Sequence, residues 1–148
     1  AICQDIFSGH REHQLMGALG HEGSVFNHLR QKFGADCITA VTLPYSACGR
    51  YVVYVSIRKP QGLDPKEVGR AALGFLRQTH AAVVVDDDIN IFSEEQVLWA
   101  VNTYVHPDRD IEIGVRPAHR RAPRTSTPTS TKASSPAVAT SICNRRMA

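Results

Sequence analysis

The sequence lacks closely spaced cysteines and long apolar runs. Its four cysteines, Cys3, Cys37, Cys48 and Cys143, form no C-x-x-C motif and none of the short spacings of structural zinc sites, so we expect free thiols. No run approaches the roughly 18 to 20 apolar residues that crossing a bilayer requires. Residues 1–10 also lack a basic region followed by an apolar stretch, which disfavours a secretory signal. We therefore expect a cytoplasmic protein.

Acidic residues are absent from the last part of the chain. Residues 117–148 are rich in Ser, Thr, Pro and Ala and show no apolar periodicity, which predicts a disordered basic tail. The tail has no aromatic residue on which a base could stack, so we expect no specific nucleic-acid binding. Because six of the cations and none of the acids lie in this tail, the rest of the chain has a net negative charge. The six cations are Arg120, Arg121, Arg124, Lys132, Arg145 and Arg146.

The remaining residues have the composition of one globular domain. At 148 residues, 43% hydrophobic and 21% charged, the chain can bury a single core, which we assign to residues 1–116. The first residue is not Met, and we expect a fragment of a longer protein.

Apolar spacing and cap residues predict alternating strands and helices. Residues 23–33 show helical spacing and are followed by Gly34, while 37–43 and 50–57 are rich in β-formers. Asp64 and Pro65 open a second helix, with Glu67 placed to reach back to the cap amide. The apolar face of that helix is predicted to consist of Val68, Ala71, Ala72, Phe75 and Leu76.

The second half of the domain repeats this alternation. Residues 81–85 are a continuous apolar run, which predicts a central strand covered on both faces. Ser93 and Gln96 form a capping box before a third helix, and residues 111–115 are a last short strand. The fold class is therefore α/β, with a mixed or mostly parallel sheet flanked by helices. The predicted buried face of the third helix consists of Val97, Leu98, Val101 and Val105.

Three aspartates follow the predicted central strand. Asp86, Asp87 and Asp88 lie where α/β proteins often bind a metal or a magnesium-bound phosphate. Without a Gly-rich phosphate loop nearby, we favour a turn cap with solvated carboxylates and predict no metal site. A magnesium-dependent phosphate-handling domain stays the weakest alternative.

Other reactive side chains form no recognisable constellation. The histidines lack an H-E-x-x-H pattern, and the serines lack a nucleophile elbow, so surface and structural roles are favoured. Cys48, which precedes Gly49, is interpreted as a structural thiol. The side chains for which surface or structural roles are favoured are His10, Glu12, His13, His21, Glu22, Ser46 and Ser56.

Five ordered segments resemble the carboxy-terminal domain of the UbiD family of carboxy-lyases. Together they cover about residues 15–113, in the order that the family shows. The segments are LPYS at 43–46, VSIRK at 55–59, VVVDDDIN at 83–90, VLWA at 97–100 and PDRD at 107–110.

The resemblance implies decarboxylation of aromatic or α,β-unsaturated acids with prenylated FMN, manganese and potassium. The family's Glu-Arg-Glu residues belong to an amino-proximal region that has no counterpart here, so we expect this chain alone to hold no cofactor and to be inactive. It also implies a homo-oligomer in which this domain packs subunits together and closes the site over a cofactor domain. After the last strand the family usually continues with an ordered tail, and residues 116–148 depart from that pattern.

The resemblance also implies site residues for the flavin phosphate and for the substrate pocket. Arg58 or Lys59 matches a family lysine that approaches the flavin phosphate, and Val101 and Thr103 match a segment that lines the substrate pocket. The alternative from another class is a non-catalytic binding or assembly module that shares the fold.

Overall fold

The computed structural model describes residues 11–58, 63–76, 78–115 and 136–141. These ranges contain four α-helices and five strands in one unit, which confirms the predicted α/β class; the sequence predicted three of the helices and four of the strands. None of the helices in these ranges combines the length and the apolar character that crossing a membrane would need. In chain order the elements are α1 (Arg11–Phe33), β1 (Ile38–Thr42), β2 (Val52–Ile57), α2 (Pro65–Phe75), β3 (Ala81–Asp86), α3 (Glu94–Tyr104), α4 (Pro107–Asp110), β4 (Ile111–Val115) and β5 (Pro136–Ser141).

The sheet is mixed, with strand order β1-β2-β3-β5-β4. β2 and β3 run parallel, as do β3 and β5, whereas β1 and β4 are antiparallel to their neighbours. The prediction that β3 is central is therefore confirmed.

β5 differs from the sequence prediction, because Pro136–Ser141 lies within the segment predicted to be disordered. Its backbone pairs with β3 on one side and β4 on the other, which supplies hydrogen-bond partners that composition does not reveal. The other residues of the predicted tail lie outside the described ranges.

Each face of the sheet carries a separate core. Val53, Val55 and Ile57 point to the face covered by α1 and α2, where Leu29 and Val68 are fully buried. The opposite face carries a smaller core under α3, because neighbouring side chains along a strand alternate between the faces. Its buried members are Tyr54, Val85, Ile91 and Val97.

The end of α1 and the start of α2 have the predicted cap residues. Gly34 has a φ of 103° and donates to the carbonyl of Arg30, which closes α1. The Asp64 carboxylate accepts from the Lys66 amide at 3.0 Å, with Pro65 as the first residue of α2. α1 is longer than predicted, since it begins at Arg11.

Two predicted core residues are in fact exposed. Phe75 in α2 and Leu98 in α3 both fit the helical spacing, yet Phe75 is 41% exposed and Leu98 is 54% exposed. Helical spacing identifies one side of a helix, but the width of the buried stripe depends on how much surface the neighbouring elements offer. For α3 the buried residues are Val97 and Ala100.

Candidate functional site

The parallel strands β2 and β3 end side by side, with Ile57 opposite Asp86. The residues that follow them, Arg58 and Asp87, therefore lie at one edge of the sheet. The Arg58 Nε donates to the Asp87 Oδ2 at 2.9 Å, and the Arg58 amide donates to the carbonyl of Cys37 at 2.8 Å. The backbone of Arg58 is thus fixed, while its side chain remains 68% exposed. We refer to this place as the carboxyl edge.

Asp86 ends β3, and Asp87 and Asp88 lie in the turn that follows it. Asp87 pairs with Arg58, and the Asp86 carbonyl accepts from the Ile89 amide to form the turn after β3. Within the described ranges, no three His, Cys, Asp or Glu side chains converge to bind a metal. A backbone-bonded turn therefore follows β3, and the magnesium alternative stays a prediction.

The other predicted site residues lie on α3 or outside the described ranges. Val101 is half-buried and packs against the core that contains Val85, whereas Thr103 is exposed. Lys59 lies outside the described residues, as do the side chains of His10 and His13. The structure therefore places Arg58 at the carboxyl edge and Val101 over the sheet face beside it.

The amino-terminal end of α3 is tied to neighbouring loops by polar contacts. The Ser93 hydroxyl accepts from the Gln96 amide at 3.4 Å, which confirms the N-cap. Gln96 accepts from the Asn90 amide at 3.3 Å, and Glu94 accepts from the Ser46 amide at 3.1 Å. Burial raises the pKa of the Tyr54 hydroxyl beneath α3, and the negative charge of Glu94 raises it further. Tyr54 therefore stays protonated at neutral pH.

Sequence reasoning missed an exposed apolar surface on and beside α3. We call Phe92, Leu98, Trp99 and Tyr104 the α3 surface; Phe92 is 70% exposed and Trp99 is 58% exposed. The rings of Trp99 and Tyr104 meet edge to face, with 5.3 Å between their centroids. The VLWA segment held a signal for this surface, because four consecutive apolar residues extend around most of a helix and cannot all face one core.

Sequence reasoning also missed Arg50, which lines a cavity at the opposite edge of the sheet. Its Nε is buried and has no hydrogen-bond partner among the described residues. A single arginine before a strand carries no pattern that would identify it from sequence.

Comparisons with known proteins agree on one family. The model of the 3-octaprenyl-4-hydroxybenzoate carboxy-lyase C-terminal domain, UbiD_C, matches residues 14–135. A gallate decarboxylase of Lactiplantibacillus plantarum is 23% identical over 116 residues, which are 76% of this chain and 24% of that protein.

Solved structures extend the agreement to the fold. An evolved dimeric form of the UbiD-class enzyme HmfF from Pelotomaculum thermopropionicum, in complex with prFMN, is 28% identical with a TM-score of 0.68. The match covers 88% of this chain and 26% of HmfF. Apo 3,4-dihydroxybenzoic acid decarboxylase (AroY) of Klebsiella pneumoniae has a TM-score of 0.72 over 88% of this chain and 28% of AroY, and its 19% identity indicates a likeness of fold. The chain thus spans about a quarter of the length of these relatives.

Proposed function

We propose that this chain, which belongs to the UbiD family as a carboxy-terminal domain, is the assembly and site-closing part of a prenylated-FMN-dependent carboxy-lyase. The substrates we propose are aromatic or α,β-unsaturated carboxylic acids. Because the chain spans about a quarter of its relatives, the chemistry requires a UbiD-type cofactor domain or subunit as partner. A cytoplasmic location and a homo-oligomeric state are part of the same proposal.

The α3 surface is the observation that carries this proposal. Four large apolar side chains on or next to one short helix are exposed, and two of them, Trp99 and Tyr104, are in contact. The Trp99–Tyr104 ring contact holds two of them in place, so little side-chain entropy is lost when a partner packs on them. Exposed Trp and Tyr residues are also the types that contribute most energy to protein interfaces.

The carboxyl edge fits one part of the proposed cofactor, its phosphate. Arg58 presents an exposed guanidinium on a fixed backbone, and a phosphate could take over the hydrogen bond that Asp87 now accepts. Lys59 is the proposed second cation. When bound, prenylated FMN supplies the electron sink that decarboxylation at an sp² carbon requires.

The described residues offer no comparable fit for the manganese and potassium ions of the family. No set of three carboxylate, imidazole or thiolate ligands converges within these ranges. We therefore propose that both ions, and the Glu-Arg-Glu residues, are held by the cofactor domain. Val101 and Thr103 are proposed to face the substrate pocket, which is consistent with the exposed hydroxyl of Thr103.

Sedimentation velocity tests the assembly role directly. The unmodified chain should associate, alone or with a UbiD-type cofactor domain, as its concentration rises. Trp99→Arg should weaken that association at least about tenfold, because charge in the centre of an apolar interface is costly. The matched control is Met16→Arg on α1, whose side chain is 80% exposed and distant in sequence from the α3 surface. Equal association of both variants would contradict the proposal.

Capture experiments separate this function from the alternative of a stand-alone module. The tagged chain should retain a UbiD-type cofactor domain, and Trp99→Arg should release it. Retention of an unrelated protein with no affinity for the cofactor domain would favour the non-catalytic binding module.

A further inference from the structure

A cavity of about 660 Å³ lies between α1 and α2 at the amino ends of β2 and β3. We call it the amino-edge cavity. Its volume falls in the range that small-molecule sites in proteins occupy. The wall combines apolar groups with a few polar groups. Its principal members are His21, Ser24, Leu43, Arg50, Phe75 and Thr79.

Arg50 enters this cavity from a rigid piece of backbone. Its amide donates to the Ala47 carbonyl at 3.2 Å, and its carbonyl accepts from the Thr79 hydroxyl at 2.7 Å. Thr79 itself is only 1% exposed. The preceding Gly49 has a φ of 62°, and a Cβ there would lie 2.7 Å from the Ala18 Cβ, so α1 is tightly packed on this turn.

The side chain of Arg50 has an unmet hydrogen bond. Its Nε is buried and donates to no described atom, whereas the Nε of Arg58 and the Nε of Arg70 each donate to a carboxylate. None of the described residues that line the amino-edge cavity is acidic. A guanidinium remains charged at any physiological pH, and burying its donor without an acceptor is unfavourable. An anion bound in the cavity would compensate the charge of the guanidinium, which no described residue of the cavity wall does.

We propose that the amino-edge cavity binds a small organic acid, with its carboxylate on Arg50 and its apolar body against Leu43 and Phe75. The planar guanidinium matches the two oxygens of a carboxylate, and the apolar walls disfavour a fully hydrated inorganic anion. The Ser24 hydroxyl and the His21 imidazole provide polar groups in the same wall. This binding goes beyond the proposed function, since it involves neither Arg58 nor the α3 surface.

Isothermal titration of the full chain with benzoate and with benzamide tests the assignment. The two probes have nearly the same shape, and only benzoate carries the negative charge that Arg50 requires. Benzoate should bind with saturation and benzamide at least about tenfold more weakly, the loss expected when a charge-assisted hydrogen bond is removed. Arg50→Gln should weaken benzoate to the level of benzamide, while the control Arg109→Gln should bind as the unmodified chain does. Equal binding of the two probes, or of Arg50→Gln and the unmodified chain, would overturn the proposal.

Chemical modification of the unmutated chain keeps the test valid if Arg50→Gln does not fold. Phenylglyoxal modifies arginines, and mass spectrometry reports the rate at each one. Benzoate should slow the modification of Arg50 several-fold and leave the rates at Arg58 and Arg70 unchanged. Uniform protection of all three arginines, or none at Arg50, would contradict the site.

A competition experiment distinguishes a free small acid from a carboxyl side chain of another polypeptide. A blocked Gly-Glu-Gly peptide offers a carboxyl side chain of the kind that another polypeptide would insert. It should fail to displace benzoate, because its backbone amides would lose water against Leu43 and Phe75. Displacement at a concentration equal to that of benzoate would overturn the assignment to a free small acid.

Discussion

Arg50 and Arg58 lie just before and just after β2, and the two ends of this one strand are unlike. At the carboxyl edge Arg58 is exposed and its Nε is paired with Asp87 at 2.9 Å. At the amino edge the Arg50 Nε is buried beside a cavity and has no hydrogen-bond partner among the described residues. The residue type is therefore a poor guide to what each arginine does, and burial together with pairing is a better one.

The two edges also differ in how firmly their surroundings are held. At the amino edge the turn at Gly49 packs tightly against α1, and the Thr79 hydroxyl donates to the Arg50 carbonyl. Substitutions there that change the size of a side chain should therefore lower the stability of the fold strongly. The carboxyl edge depends on an exposed ion pair, which contributes little to stability. The predictions below test this difference.

Gly49→Val should have the largest effect. It places a β-branched residue at a φ of 62° and a Cβ within 2.7 Å of Ala18, so the free energy of unfolding should fall by about 2 to 4 kcal/mol. Guanidinium chloride unfolding measures the change. Gly74→Ala is the control, because no atom lies within 4 Å of its added Cβ and an alanine there should stabilise α2 by up to about 1 kcal/mol. Similar losses in both variants would show that the Gly49 turn is not tightly packed.

Thr79→Val should have an intermediate effect. The change keeps the shape of the side chain but removes the hydroxyl that donates to the Arg50 carbonyl at 2.7 Å, at a cost of about 1 to 2 kcal/mol in unfolding free energy. Thr103→Val alters an exposed threonine and should stay within about 0.5 kcal/mol of the unmodified chain. Thermal unfolding followed by circular dichroism compares the two variants. Equal melting temperatures would show that the hydrogen bond from the Thr79 hydroxyl does not stabilise the fold.

Arg58→Gln should change stability less than either, by no more than about 1 kcal/mol, because the ion pair is exposed. A double-mutant cycle with Asp87→Asn measures the coupling between the two side chains. A coupling well above that limit would mean that the carboxyl edge contributes substantially to folding.

The smallest effect concerns pH and the Arg70–Glu112 pair, which joins α2 to β4. The hydrogen bond from Arg70 lowers the pKa of the Glu112 carboxyl below its ordinary value of 4.5. The pair therefore stabilises the fold fully above pH 4.5, and its contribution is lost as the pH falls through the lowered pKa.

Arg70→Met should accordingly be slightly less stable than the unmodified chain at neutral pH, and the difference should shrink once the pH falls below 4.5. Thermal unfolding across that range provides the measurement. In a Glu112→Gln background the same substitution should show no such pH dependence. Persistence of the difference at low pH would assign it to packing and not to charge.

Local signals predicted much of this fold. The Asp64 and Pro65 pair predicted the start of α2, since a carboxylate acceptor at the cap and a residue without an amide proton after it are both favoured at a helix amino terminus. The unbroken apolar run of β3 predicted a central strand, because both of its faces are covered. β5 could not be predicted in this way, since its stabilisation comes from pairing with distant strands.

Candidate site residues were predictable from the sequence only in segments that resemble the family. Arg58 was found through the family segment VSIRK, and its ion pair with Asp87 follows from the parallel pairing of β2 and β3. Arg50 was missed, because its burial depends on the packing of α1 against a turn far along the chain. The exposure of Leu98 was missed because helical spacing does not show where a neighbouring surface ends.

We propose that this chain contributes assembly and a phosphate contact to a carboxy-lyase but does not perform the chemistry alone. The most direct measurement adds prenylated FMN and manganese to the purified chain and follows the flavin spectrum and carbon dioxide release from cinnamic and hydroxybenzoic acids. We expect no spectral shift and no carbon dioxide. Turnover by the chain alone would contradict it.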